Sequence, residues 1–235
     1  MGKKNKTSKK KFKGIIIAYR IICVVLVGML LFLLKVQADN KKPIIIKQEI
    51  TNPNIVMLGD SITDFYDLDK YYGSDTLIVN SGIGGNRAHD IINDIRNRVY
   101  AYNPSKVFLL IGVNDILYDD ATPEQVVSQI DEIVIEIKAK LPNAKIYIES
   151  IYPVNNEWKD NYDDRVKDEK IVNSTIVMTN DQIEEYCEFN NIEYINLYSN
   201  LLDENGVLDH NYSDDGLHPN ENGYKVITKI LKKYM

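Results

Sequence analysis

The sequence predicts an α/β protein in which a parallel five-stranded sheet is covered by helices on both faces. Short apolar segments rich in Ile, Val and Tyr recur along the chain, as is typical of buried parallel strands. Amphipathic helical patterns separate these segments, and strands that alternate with helices form a parallel sheet between helical layers. The predicted strands are residues 55–58, 77–79, 107–111, 146–151 and 194–197.

An apolar segment precedes this α/β region and predicts export. Residues 1–13 contain seven lysines, and residues 14–36 are apolar apart from Tyr19, Arg20 and Lys35. The uninterrupted stretch 21–34 spans about 21 Å as a helix, which suits a signal-peptide core with cleavage after Ala38. If Arg20 extends to the headgroups, residues 15–34 are long enough to cross a bilayer. We favour a retained anchor, with the cleaved signal as the alternative; either way residues 37–52 form a linker and the body is extracytoplasmic.

The clearest helix follows the third predicted strand. Thr122 is its N-cap, Pro123 takes the first helical position, and Gln125 is placed to complete a capping box. Apolar side chains then recur with the helical period as far as Leu141, and Pro142 ends the pattern. Further helices are predicted over residues 89–102, 170–189 and 221–234.

The charge distribution argues against a nucleic-acid partner. Nine of the 28 basic side chains lie within residues 1–35, which leaves 19 basic against 34 acidic side chains in the rest of the chain. A body with that acidic excess lacks the basic face that phosphate binding requires. The two cysteines are Cys23, in the apolar segment, and Cys187, for which a buried apolar position is expected. Neither has the His and Cys neighbours of a metal site.

Polar side chains follow the predicted strands, at the sheet edge where α/β proteins bind ligands. They comprise a serine, a glycine-rich loop, an asparagine and an acid–histidine pair. A serine hydroxyl becomes a nucleophile when an imidazole accepts its proton, and the imidazole needs an acceptor on its other nitrogen. The oxyanion of the intermediate needs fixed N–H donors. The segments are GDSIT (59–63), NSGIGG (80–85), GVND (112–115) and DGLH (215–218).

These four motifs, in this order, resemble those of the SGNH hydrolase superfamily, the GDSL-type esterases that include lysophospholipase L-like enzymes. The resemblance covers residues 53–235. It implies a three-layer α/β/α, flavodoxin-like fold, hydrolysis of ester bonds by a serine nucleophile, and a site that needs neither metal nor cofactor.

Carried over onto this sequence, the resemblance assigns a role to each motif. Ser61 would be the nucleophile, His218 the general base and Asp215 the residue that orients the histidine. The backbone N–H groups of Ser61 and Gly85 and the side-chain amide of Asn114 would form the oxyanion hole.

Two further residues are candidates for shaping the substrate site. Many family members have an aspartate after the glycine pair of the second motif, whereas this chain has Asn86. Trp158, the only tryptophan, lies in the loop after the fourth strand, a region that varies in the family.

The sequence leaves several functions open. The first is an exported esterase acting on small acyl esters, such as O-acetyl groups of cell-surface or environmental glycans, or on lysolipids. The absence of a long apolar lid segment in the body favours short acyl groups. The second is an acyltransferase of the same chemistry that passes the acyl group to a sugar hydroxyl. A membrane-tethered glycan-binding module with an inactive site is a remote third possibility.

Overall fold

A computed structural model of the chain describes residues 55–158 and 168–235. The predicted basic segment 1–13, the apolar segment 14–36 and the linker 37–52 lie outside the described residues and stay predictions. Within the part that is described, no helix is long and apolar enough to cross a membrane.

Five strands form one parallel sheet in the order β2-β1-β3-β4-β5. This confirms the predicted number and direction of strands, and the order is that of flavodoxin-like sheets. Strand β1, second in this order, is flanked by β2 and β3, so that Leu58 lies opposite Ser81 on one side and Leu109 on the other. The strands are β1 Ile55–Gly59, β2 Ile78–Gly82, β3 Lys106–Leu110, β4 Lys145–Glu149 and β5 Glu193–Ile195.

Seven α-helices are present in the described residues. Among the longer ones, α5 packs against both α3 and α6. On α7, the Tyr224 ring stacks on Tyr66 from the segment between α1 and α2, 4.8 Å between centroids. The sheet therefore lies between two helical layers, as the predicted three-layer fold requires. The helices are α1 Ser61–Asp64, α2 Leu68–Tyr72, α3 Ala88–Arg98, α4 Val113–Tyr118, α5 Pro123–Lys140, α6 Glu169–Asn190 and α7 Glu221–Leu231.

The long helices agree with the sequence patterns, but two of them end earlier than predicted. The helix predicted over residues 221–234 ends at Leu231. The capping box of α5 is present: the Gln125 N–H donates to Thr122 Oγ1 (3.3 Å), and the Thr122 N–H donates to Gln125 Oε1 (2.9 Å). The helix predicted over residues 89–102 instead ends at Arg98, and a 3₁₀ turn follows at Tyr100–Tyr102. The helix is kinked at Asp94, and it ends where Val99 leaves helical geometry, with φ −128° and ψ −56°.

The core of the described region lies on both faces of the sheet. Strand β1 is buried along its whole length, and the rings of Phe108 and Tyr147 stack across β3 and β4 at 4.5 Å. Cys187 is buried as expected, and burial raises the pKa of its thiol to about 12. Because apolar side chains cover both faces of the sheet, its carboxyl edge is where polar catalytic groups are expected.

Candidate active site

Ser61 occupies a sharp turn between β1 and α1. It is the first residue of α1, and the preceding Asp60 caps this helix by accepting the Ile62 N–H at 2.9 Å. Gly59 ends β1 where no side chain fits, since a Cβ there would lie 2.2 Å from Thr63 Oγ1. The turn thus places the Ser61 hydroxyl at the carboxyl end of β1.

Ser61, His218 and Asp215 form a continuous hydrogen-bonded chain. His218 Nε2 lies 2.8 Å from Ser61 Oγ, and His218 Nδ1 lies 2.7 Å from Asp215 Oδ2. The structure therefore brings together three residues that are up to 157 positions apart in sequence. If Nδ1 carries the proton that Asp215 accepts, Nε2 is free to accept the proton of the serine hydroxyl.

Asp215 is held as a charged acceptor. Burial raises the pKa of its carboxyl, but hydrogen bonds from the His218 ring and from the N–H groups of His218 and Leu217 outweigh burial and lower the pKa to about 2. The carboxylate therefore keeps its negative charge at neutral pH, where it stabilises an imidazolium on His218.

The loop that carries Asp215 and His218 packs against the segment that follows β4. Gly216 has φ +80°, and a Cβ on it would lie 2.4 Å from both Asn155 Oδ1 and the Trp158 backbone nitrogen. The Asn155 N–H donates to the Gly216 carbonyl at 3.0 Å. Only glycine therefore fits this position. The segment after β4, through Asn155 and Trp158, fixes the position of the loop.

The glycine-rich loop after β2 reaches Ser61. The Asn86 N–H donates to the Ile83 carbonyl at 3.2 Å and closes a turn in which Gly85 has φ +75°. A Cβ on Gly84 would lie 4.0 Å from the Ser61 Cβ, so the loop passes close to the serine. In the part of the chain that the structure describes, no acceptor takes the Gly85 N–H, which leaves it available to a ligand.

Asn114 lies in the first turn of α4 and is buried. Its Nδ2 donates to the Asn86 carbonyl at 2.9 Å, which ties it to the glycine-rich loop. An amide nitrogen has two hydrogens. One bond to Asn86 fixes the orientation of the amide and leaves a second hydrogen for a substrate oxygen.

The two predicted substrate-shaping residues have structural contacts. Asn86 Oδ1 accepts from Arg98 Nη1 at 2.7 Å, so its side chain faces the protein. Trp158 is 1% exposed, and its backbone nitrogen lies close to Gly216 in the Asp215–His218 loop. An influence of either residue on substrate would act through the position of these loops, so their predicted role is indirect.

The comparison with known proteins decides the family. The model of the GDSL-like Lipase/Acylhydrolase family matches residues 57–226, well over half of the chain. The chain belongs to this family. It is an ester-hydrolysing enzyme, as the four motifs predicted.

Solved structures share the fold of this GDSL-like acylhydrolase. A protein from Streptococcus pneumonia, described as a candidate platelet activating factor, is 28% identical with a TM-score of 0.70, covering 91% of this chain and 98% of its own. A GDSL-like lipase from Bacteroides thetaiotaomicron is 22% identical with a TM-score of 0.67, covering 78% of this chain and 87% of its own. At 22% identity, the likeness to the second structure shows that the two proteins share a fold.

A relative with a different name matches only in part. The N-acylneuraminate cytidylyltransferase of Escherichia coli O18:K1:H7 is 30% identical over 175 residues, which are 74% of this chain and 38% of that protein. The acylhydrolase thus spans about two fifths of this relative, and the activity in the relative's name does not transfer to it.

Sequence reasoning missed residues that hold the site of this acylhydrolase together. Arg98 is buried beneath the glycine-rich loop, and Asn155 is buried beneath the Asp215–His218 loop. Arg98 falls on the apolar face of α3, seven residues after Ile91, and a charge at that position was a signal of a buried role. Across residues 55–158 and 168–235, no group of three His, Cys, Asp or Glu side chains is placed to hold a metal ion.

Proposed function

We propose that this acylhydrolase is an exported serine esterase that hydrolyses short-chain acyl esters through an acyl-Ser61 intermediate. The observation that carries the proposal is the chain from Ser61 Oγ through His218 to Asp215, with both bonds below 3 Å. A serine, a histidine and an anionic carboxylate in this order are the groups that nucleophilic acyl transfer requires.

Acylation begins when His218 Nε2 accepts the Ser61 proton as Oγ attacks the ester carbonyl carbon. The carbonyl oxygen gains the negative charge and is stabilised by the N–H groups of Ser61 and Gly85 and by the Asn114 amide. The intermediate then collapses, the bond to the alcohol oxygen breaks, and His218 returns its proton to the leaving alcohol. Asp215 stabilises the imidazolium throughout.

Deacylation repeats these steps with water. His218 takes a proton from a water molecule, the hydroxide oxygen bonds to the acyl carbon, and the second oxyanion uses the same donors. The acid leaves as the Ser61 Oγ regains its proton. A sugar hydroxyl in place of water would give the acyltransferase outcome with no change in the protein groups.

Two exposed apolar side chains beside the site support a small acyl group. The Phe65 ring, 58% exposed, lies 5.0 Å from the His218 ring, and Ile83, 43% exposed, begins the glycine-rich turn. Such side chains offer a small open apolar surface, which suits an acetyl or other short acyl group. A long chain would leave most of its length in water on this surface.

The location outside the membrane rests on the sequence. The lysine-rich segment 1–13 and the apolar segment 14–36 have the order of an anchor or signal segment with its basic flank in the cytoplasm. An esterase held there has O-acylated glycans and lysolipids within reach. Mass analysis of the mature N-terminus tests this: an intact terminus means an anchor, a start at Asp39 means a cleaved signal.

Ester hydrolysis by the full-length chain tests the function. Activated acetyl and long-chain esters are compared for wild type, for Ser61→Ala and for Ser74→Ala, a control in the exposed loop before β2. We expect acetyl hydrolysis that Ser61→Ala abolishes and Ser74→Ala retains. A preference for the long-chain ester would replace the short-acyl reading with a lysolipid esterase, and turnover that survives in Ser61→Ala would contradict the mechanism.

A further inference from the structure

Arg98, the last residue of α3, is a buried cation bound to neutral oxygens. Arg98 is 4% exposed, and an arginine is rarely buried unless its donors are paired. Nη2 donates to the backbone carbonyls of Gly59 (2.6 Å) and Ser81, and Nη1 donates to Asn86 Oδ1 at 2.7 Å. These three acceptors belong to three different segments of the chain.

Two of these acceptors, Gly59 and Asn86, lie within two residues of a group that the proposed mechanism uses. Gly59 ends β1 and is two residues before Ser61, whereas Ser81 lies near the end of β2. Asn86 directly follows Gly85, and its carbonyl accepts the Asn114 amide at 2.9 Å. The Arg98 guanidinium therefore links the end of β1, just before Ser61, with the glycine-rich loop. Through Asn86 it is also linked to Asn114.

The chemistry of the site requires arginine. The guanidinium has five N–H donors in a rigid planar fork, so it satisfies acceptors in several directions at once. A lysine has a single compact ammonium on a flexible stem and would reach fewer of the three oxygens. The Nη2 bonds to Gly59 and Ser81 fix the fork between β1 and β2, and an Nη1 N–H then fixes Asn86.

We propose that Arg98 is a positioning residue for the oxyanion hole, which it assembles by holding the glycine-rich loop through Asn86. The inference rests on the proposed esterase function. Oxyanion donors act mainly in the transition state, because the negative charge on the substrate oxygen develops there. A displaced loop therefore lowers kcat and kcat/KM together, with little change in KM.

The test compares Arg98→Met with Arg98→Lys, using Arg96→Met as the matched control. Arg96 is exposed on the same helix, two residues earlier. For hydrolysis of an activated acetyl ester by the full-length chain, we expect Arg98→Met to lower kcat about 10- to 100-fold, below the loss of a direct donor. We expect KM to stay within about threefold, Arg98→Lys to keep more activity than Arg98→Met, and Arg96→Met to match wild type.

A purely structural role for Arg98 gives a different result. The thermal unfolding midpoint would fall, while kcat per folded enzyme in Arg98→Met would equal that of wild type. Equal kcat, or a rise in KM that accounts for the whole loss, would overturn the proposal. The pH profile of kcat/KM is expected to keep its shape, because the bonds of His218 to Ser61 and Asp215 do not involve Arg98.

A second pair of variants keeps the test decisive if the Arg98 variants do not fold. Asn86→Ala removes the side-chain acceptor of Arg98, and Asn86→Asp keeps an acceptor there. We expect Asn86→Asp to retain a higher kcat than Asn86→Ala; equal values would overturn the proposal. If wild type itself lacks turnover that depends on Ser61, the proposed function fails, whereas Ser61-dependent turnover insensitive to Arg98 and Asn86 overturns this inference alone.

Discussion

Asp215 uses both carboxylate oxygens to hold His218. Oδ2 lies 2.7 Å from the ring Nδ1, and Oδ1 accepts the His218 and Leu217 backbone N–H groups at 2.7 and 2.9 Å. One residue thus fixes the ring, the loop and the charge beside the general base. Its loss would leave Ser61 and His218 present but unaligned.

Asp215→Asn should therefore be milder than loss of the nucleophile. We expect kcat/KM for an activated ester to fall about 10³- to 10⁴-fold, because an amide either fails to accept the ring N–H or favours the wrong tautomer. Ser61→Ala and His218→Ala should cost about 10⁵-fold or more. Steady-state hydrolysis of the same ester checks the order, and an Asp215→Asn loss equal to that of Ser61→Ala would contradict it.

Glu149 is a buried carboxyl at the end of β4, 3% exposed. Burial raises its pKa, the hydrogen bond from the Tyr152 hydroxyl (2.8 Å) opposes this, and the nearby Asp60 carboxyl adds to the rise, giving about 7. The folded state thus keeps a proton that the unfolded chain loses nearer pH 4.5. Stability from this group is present at pH 4.5 and is lost as the pH rises to 7.

Glu149→Gln removes this titration and keeps an acceptor for Tyr152. We expect the variant to gain stability relative to wild type as the pH rises from 4.5 to 8, by up to about 3 kcal/mol. Denaturant unfolding of both proteins at the two pH values measures the change. A constant difference across this range would show that Glu149 is not the titrating group.

At the scale of elements, two asparagines of α6 hold the chain after β4. Asn180 accepts the Ile151 N–H and donates to its carbonyl (2.8 and 2.9 Å), and Asn173 does the same with Val154 (3.0 and 2.8 Å). These pairs replace the bonds of a sheet neighbour for a buried segment. The segment continues to Asn155, whose N–H supports the Asp215–His218 loop, so α6 acts on the site from a distance.

Asn180→Ala should leave both polar groups of Ile151 buried without partners. We expect a loss of about 2–4 kcal/mol in the free energy of unfolding. Asp181→Ala, exposed on the same helix, is the matched control and should stay within about 0.5 kcal/mol. Denaturant titration measures both, and similar values for the two variants would contradict this account.

Across the whole molecule, sequence patterns predicted the elements that are long enough to show a repeating apolar pattern. Five strands and the helices α3, α5, α6 and α7 follow from apolar spacing and capping residues. The short helices α1, α2 and α4 were missed because four to six residues do not complete two helical turns.

The site residues that lie in the four motifs could be predicted from the sequence. The four motifs identified Ser61, Gly85, Asn114 and the Asp215–His218 pair, and the structure brings these segments together. Arg98 and Asn155 belong to no motif, because most of their partners are backbone groups of other segments. Such contacts depend on how the strands and loops pack, which spacing along the chain does not encode.

The central claim is that Ser61 carries the acyl group during turnover. The most direct measurement mixes the full-length chain with an activated acetyl ester, quenches within the first turnover and maps the acetylated peptide by mass spectrometry. The account predicts one acetyl group on Ser61 in wild type and none in Ser61→Ala. Ester turnover with no acetyl on Ser61, or with the same acetylated site in both proteins, would contradict it.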